Sequence, residues 1–438
     1  MNRLLRVIKI WGAALGAGLC LSGAVWAGEN DAGGAVPPKG YRVVDLGPGT
    51  VVWDMNASGL CVGTRGGTGE IWRVNAAGIA VEKQFEVGFV PTAVSTGGDV
   101  IGNVGNAFGL CYRADEGYVS PVRVSPPGGA RAMELWACSD RVGAAGVRRM
   151  ADGQRVACAW APGGRDELVM GFTAWTNAVR SSSLSSVAYA VNDRGWVAGM
   201  SYGRRGERLL RECPVVWIPG TELGRDTDEL MEVPLPWPDF IKAFEDTARL
   251  APYALNNGTV EGGATSVWAV GYFDFARVSD YDDKFLPVLW KVTIKDGEAL
   301  ASVSSLGNAL KFAGANTNWA PKGYAARMGS VYMDVNDAGV IVGYSVRRGD
   351  GNGRSTETAR RPVAGLEGFA FVRDAAGYQD LNDLIGPAGV QWDLRQAMRV
   401  NNAGWVAVNA VHRGIETDPL GRRREMARAA ACILIPVK

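Results

Sequence analysis

Beyond residue 40, short apolar runs separated by glycine-bearing turns recur along the chain. WVAGMSY (196–202) and VIVGYSV (340–346) are apolar at odd and even positions alike. That pattern predicts strands buried on both faces, not amphipathic helices. A second kind of run ends near Trp and meets a glycine turn, as in EIWRVNAAG, ACAWAPGG, PVVWIPG and PVLWKVTIKDG. A further strand follows it, clearest as YQDLNDL near Asp380. Helical spacing stands out in PDFIKAFEDTARL (238–250), where Phe240, Ile241, Phe244 and Ala248 share one face and Asp239 offers a cap.

One signature orders these runs: Asn, two residues, Gly, three residues, Gly. It reads Asn56, Gly59, Gly63; then Asn192, Gly195, Gly199; then Asn336, Gly339, Gly343; and Asn401, Gly404, with Val408 in the last place. Two copies begin with serine, at Ser95 and Ser139, and one begins at Asn256 and reaches Gly271 through an insertion. Asn or Ser opens a tight turn by accepting a backbone hydrogen bond on its own side chain, and the Gly three residues on takes a positive φ. Each copy therefore predicts a hairpin, and each repeat about four short antiparallel strands. Residues 40–438 divide into seven units of 57, against roughly 40–50 for a four-stranded propeller blade, so the excess belongs to loops.

The predicted fold is all-β: a single β-propeller of seven four-stranded blades over residues 40–438, with an open β-solenoid or two sandwiches as the competing arrangements. YRVVDLG (41–47) reads as a last strand lacking a partner, and ACILIPVK (431–438) as a penultimate strand with nothing after it. Pairing the two closes the ring and removes its free edges.

The motifs Asp45-Leu46-Gly47, the Asn-x-x-Gly-x-x-x-Gly units and Phe369-Ala370-Phe371 resemble the HAF-type extracellular repeat family. The resemblance covers nearly all of the chain after the leader, although no His stands in these strands. It implies export and a repeat β fold, and no activity.

Antiparallel blades put the Asn turns and the later glycine turns at one end of the ring. Second-to-third-strand hairpins and inter-blade linkers fall at the other, and these are expected to be long and to carry the binding surface. Trp residues mark the linkers: Trp53, Trp136, Trp175, Trp237, Trp319 and Trp392. Arg marks the hairpins, including Arg204, Arg205, Arg347, Arg348 and Arg413, while Asp280, Asp282 and Asp283 break the trend. Ligand-binding candidates are Trp175, Trp237, Trp319 and Trp392 as aromatic platforms, with Arg204, Arg205, Arg347 and Arg348 as anion-binding forks. The competing reading packs each Trp into a blade seam and leaves each Arg solvated.

Charge narrows the partners. The chain has 46 Lys+Arg, 45 Asp+Glu and one histidine, His412, in an Arg-rich hairpin. Nucleic acid is not an expected partner, and neither a multi-His metal site nor a serine-protease triad is available; no cofactor and no catalytic set is assigned. Residues 1–27 have a basic start, an apolar stretch from Ile10 and Val25-Trp26-Ala27 at the end, which reads as a signal peptide. Residues 28–39 read as a disordered spacer, and no later run reaches membrane length. Cys61, Cys111, Cys138, Cys158, Cys213 and Cys432 lie mostly in apolar strands, so buried free thiols are expected over disulfides. The expectation is a monomeric periplasmic or extracellular binding module, for an anionic glycan or cell-envelope polymer. A structural protein of the envelope and a carbohydrate-active enzyme using a carboxylate pair are the alternatives.

Overall fold

Each signature becomes the first hairpin of one antiparallel sheet, and seven such sheets stand around a common axis. The computed structural model describes residues 40–437 apart from 76–77, 106, 125–129, 152, 163–166, 169, 171–185, 206–207, 239–248, 275–284, 306–327, 349–365, 375–376 and 418–422. The fold is a seven-bladed β-propeller. Blades 1 to 7 have as inner strands Thr50–Met55, Phe89–Val94, Ala130–Ala137, Val187–Val191, Arg249–Leu255, Met328–Val335 and Trp392–Val400. Six blades run outward in sequence order. Blade 5 carries one extra short strand, Thr259–Glu261, which is the insertion seen in its signature.

Blade 7 takes its outer strand from the start of the described chain. Gly40–Pro48 pairs antiparallel with Arg423–Val437, with Tyr41 opposite Pro436 and Asp45 opposite Cys432. Tyr41, Val44 and Leu46 bury their side chains there. The backbone then enters blade 1 through Gly49 N donating to Ala429 O at 2.8 Å and Ala431 N donating to Thr50 Oγ1 at 2.8 Å.

The core lies between blades. Trp72, Trp160, Trp217 and Trp290, from the strands read as ending near Trp, are all buried, as is Trp196. The second strands are buried on both faces as their pattern predicts; Val197, Ala198 and Met200 are fully covered.

Several details depart from the sequence reading. YQDLNDL is strand only to Asp380; Asp380 then caps a short helix, α1 (Leu381–Leu384), by accepting from Asn382 N at 2.8 Å. The helix read over 238–250 falls mostly outside the described residues, and its last two, Arg249 and Leu250, begin a strand instead. The second-to-third hairpins are not uniformly long: in blade 1 Gly66-Gly67 turns the chain in two residues, with φ 57° and 88°. Length gathers in linkers, as between Ser305 and Met328, and in some hairpins, as between Arg348 and Leu366 of blade 6. The segments read as leader and spacer, residues 1–39, lie outside the described residues.

Candidate functional site

The Asn that opens each turn works in two directions. Its Oδ1 closes its own turn: Asn192 Oδ1 accepts from Arg194 N at 3.1 Å and Trp196 N at 2.9 Å, and Asn401 Oδ1 from Ala403 N at 3.0 Å and Trp405 N at 2.9 Å. Its Nδ2 reaches the next blade and donates to the carbonyl of the equivalent residue. Asn192 donates to Asn256 O (2.8 Å), Asn256 to Asn336 O (3.2 Å), Asn336 to Asn401 O (3.0 Å), Asn401 to Asn56 O (3.5 Å) and Asn56 to Ser95 O (2.9 Å). The result is a directional chain of amides from blade 4 around the axis to blade 2. Ser95 and Ser139 keep only the local half, accepting from Asp99 N at 3.1 Å and Val142 N at 3.0 Å.

The last glycine of the signature faces a bulge in the inner strand. In every blade the register slips by one residue at the same place, omitting Trp53, Thr92, Trp136, Tyr189, Tyr253, Met333 and Met398 in turn. The bulge brings the strands so close that a Cβ on Gly199 would stand 1.9 Å from Val187 O, and one on Gly343 2.0 Å from Val331 O. Glycine is required at that approach. Blade 7, where Val408 takes the place, carries a second slip between Leu394 and Gln396. The displaced residues gather at the axis: Tyr189, Tyr253, Met333 and Met398 share one apolar cluster with half-buried Trp53 and Trp136 packed on it. The Tyr189 and Tyr253 rings lie 4.7 Å apart.

Beyond this plug, at the Asn-turn end, opens a funnel of about 250 Å³. Two residues before each Asn or Ser, four blades place alanine (Ala93, Ala137, Ala190, Ala254), whereas blades 1, 6 and 7 place Asp54, Asp334 and Arg399. Arg399 Nε donates to Asp54 Oδ1 at 2.6 Å and Nη1 to Met333 O at 3.5 Å. Asp54 also accepts from Val94 N at 2.9 Å, and Asp334 from Val400 N at 2.9 Å, so each carboxylate stitches its blade to the next. Burial pushes the Asp334 carboxyl up to about 6 against the opposing pull of Arg399. At the rim, Asn257 N donates to Asp337 Oδ1 at 2.6 Å and Asn257 Nδ2 to Asp193 Oδ2 at 3.1 Å. Thr96 Oγ1 donates to Asp193 Oδ2 at 2.9 Å, reaching from blade 2 to blade 4.

Of the residues singled out from the sequence, the described side chains of Trp237 and Trp392 lie in different blade seams. Trp175 and Trp319 lie outside the described residues. Trp237 is 8% exposed and packs edge-on to Phe273 at 5.9 Å, and Trp392 is 7% exposed with its ring 4.7 Å from half-buried His412. Both occupy blade seams. Trp53 and Trp136 are inner-strand residues at the axis, not linker residues. Arg204-Arg205 and Arg347-Arg348 end second strands of blades 4 and 6 at the opposite end of the ring, and their side chains lie outside what is described. The long-loop end thus falls largely outside the described residues, and the concavity described above opens at the other end, among the short turns. Its signal in the sequence was the charged exceptions, Asp54, Asp334 and Arg399, at a position otherwise held by alanine.

The six described cysteines are free, and only Cys213 is not buried. Burial raises the Cys111 thiol to about 11 and pushes Cys61, Cys138, Cys158 and Cys432 higher still. Among the described residues no helix is long and apolar enough to cross a membrane, and no cluster of metal-ligating side chains is found.

No family model matches the sequence, and no curated protein matches it. Similar solved structures include YCF48 bound to D1 peptide (9% identity, TM-score 0.41, covering 92% of this chain and 99% of that one). Sqt1 from Saccharomyces cerevisiae has 8% identity and a TM-score of 0.36, over 92% and 100% of the two chains. A chain of the Mitotic Checkpoint Complex has 10% identity and a TM-score of 0.38, over 92% and 96%. At these levels the blade topology of the chain itself, not the likenesses, carries the description.

Proposed function

We propose that this protein is an exported, non-catalytic binding propeller whose ligand enters the funnel at the Asn-turn end. The observation that carries this reading is the concavity itself, about 250 Å³, on which turns from several blades converge above a floor of Asp54, Asp334 and Arg399. Polar groups on a rigid ring, with the channel beneath them plugged, suit recognition of one small polar ligand. The leader and the HAF-type resemblance support export. A carbohydrate-active enzyme needs a pair of carboxylates free to act. Asp54 and Asp334 stand at matching positions in their blades, and each accepts a backbone N–H from the neighbouring blade, which supports a holding role over chemistry.

A second reading keeps the anionic glycan or envelope polymer at the opposite end, where Arg204, Arg205, Arg347 and Arg348 flank hairpins and the Arg413 side chain is 67% exposed. One experiment separates the two. Ala57 is exposed and lines the funnel, so Ala57→Trp fills the mouth, and Arg347→Glu with Arg348→Glu reverses the charge at the far end. Calorimetric titration of wall and glycan fragments against both variants is expected to lose binding only in Ala57→Trp. Loss only in the Arg variant would overturn the funnel reading in favour of the second, and retention in both would remove both.

A further inference from the structure

The funnel's charges differ in how well they are answered. Arg399 is committed to Asp54 through Nε and to Met333 O through Nη1, but Nη2 donates to nothing among the described residues and remains open beside the funnel. Asp334 takes a backbone N–H from Val400 and, among the described residues, has no cation within ion-pair distance. At the rim, Asp193 and Asp337 are both held by Asn257, one through its side-chain amide and one through its backbone N–H, and Asp337 Oδ2 also accepts from Asn402 Nδ2 at 2.6 Å. Neither has a Lys or Arg partner among the described residues: Arg194, next in sequence to Asp193, turns instead to Asn257 O at 3.0 Å and to Glu222. Asp193 Oδ1 accepts no hydrogen bond at all among these residues. The lining thus contains four carboxylates against one guanidinium, and that guanidinium offers one spare donor edge.

Two complementary features follow from that lining. Fixed carboxylates that share one asparagine partner and have no Lys or Arg partner among the described residues favour a positively charged nitrogen, and an ammonium, with three donors, suits more than one acceptor at once. A spare guanidinium edge beside carboxylates favours a neutral oxygen acceptor, because a second anion there would meet Asp54 and Asp334. The volume admits one ring or one short chain. We propose, resting on the funnel reading above, that the ligand is a small hydroxyl- or amide-bearing primary amine, its ammonium on Asp193 and Asp337 and its oxygen on Arg399 Nη2. Amino sugars and lysine-type amides share this chemistry, and the neutral and acidic sugars of an envelope polymer lack it.

The test titrates the purified protein with glucosamine and with lysinamide, using N-acetylglucosamine and glucuronate as probes without the charge and with its opposite. At least one amine is expected to bind, and the winner identifies the source. Asp193→Asn with Asp337→Asn is expected to weaken it by about tenfold or more, with thermal unfolding little changed because each asparagine keeps one acceptor oxygen for Asn257. Each single variant repeats the measurement should the double variant unfold early. Arg399→Lys keeps the pair with Asp54 but removes the spare edge, and is expected to weaken the amine without abolishing it. The proposal is overturned if neither amine binds, if amine binding survives the Asp variants, or if N-acetylglucosamine or glucuronate binds as tightly. Binding of either control that is lost in Ala57→Trp would leave the funnel as the site and discard only the amine.

Discussion

Asn336 shows what the repeat asks of one side chain. It is buried, its Oδ1 accepts from Val340 N at 2.9 Å, and its Nδ2 donates to Asn401 O at 3.0 Å. Asn336→Ala strands both partners, so a loss of roughly 1–3 kcal/mol for each is expected in urea unfolding. Asn336→Asp keeps the acceptor but turns a carboxylate onto Asn401 O; it is expected to cost more than alanine at neutral pH and less in acid. Gly199→Ala places a methyl group 1.9 Å from Val187 O and is expected to cost about 1–3 kcal/mol or more, read as a lowered denaturant midpoint. The acceptor half of Asn and the positive φ of the turn glycine, 84° at Gly195 and 77° at Gly339, were legible in the sequence, because both are local. The donor half was not, since its acceptor lies 64 residues on for Asn192 and 80 for Asn256. Nor was the reason for the last glycine, which depends on a bulge in a different strand. Iodoacetamide offers a check on the thiols: with their titration raised by burial, Cys61, Cys111, Cys138, Cys158 and Cys432 are expected to stay unlabelled in the folded protein, leaving Cys213 to react first.

Seams between blades are where these contacts add up. Asn103 exchanges two hydrogen bonds with the Leu135 backbone (2.8 and 2.9 Å), and Asn409 does the same with Val52 (2.9 and 3.1 Å), so the same device ties blade 2 to blade 3 and blade 7 to blade 1. Trp237 fills the seam between blades 4 and 5, but its indole Nε1 is buried without a partner among the described residues. Trp237→Ala is expected to cost about 3–5 kcal/mol, and Trp237→Phe distinctly less, because phenylalanine keeps the apolar contact and removes the unanswered N–H; thermal unfolding of the pair checks this. Asp334 adds a pH dependence at the seam of blades 6 and 7. Its carboxyl is raised in the fold to about 6, so the folded state holds the proton more tightly than the unfolded chain. Its contribution to stability is therefore full in acid and falls as pH rises through about 6. Asp334→Asn is expected to flatten the stability profile across that window, measured by denaturant unfolding at a series of pH values. For Trp237 and Trp392 the seam reading holds: composition shows that Trp residues are numerous, but whether a ring faces solvent or a neighbouring blade depends on inter-blade distance, which periodicity does not encode.

Across the whole molecule, the chain ends were the clearest guide. Tyr41–Gly47 and Cys432–Val437 each looked like half of a pair, and they lie side by side. Removing residues up to Gly47 is expected to expose Cys432, Leu434 and the rest of that strand, and to convert one cooperative thermal transition into a broad, aggregating one. Loop length points to the hairpin end as a place to bind, and the funnel at the other end lies among turns of nearly constant length. Variable loops are conspicuous in a sequence; a funnel made by repeating one short turn around an axis is visible only once the ring is assembled.

That last blade also sets a schedule. Its four strands come from residues separated by almost the full length of the domain, so a chain still being synthesised has nowhere to dock Gly40–Pro48 until Arg423–Val437 has emerged. Until then the ring stays open, with two unpaired edges available to any passing strand. Under the export proposed above, that delay would have a use: a polypeptide that cannot finish folding early is still loose enough to be threaded through a translocation pore.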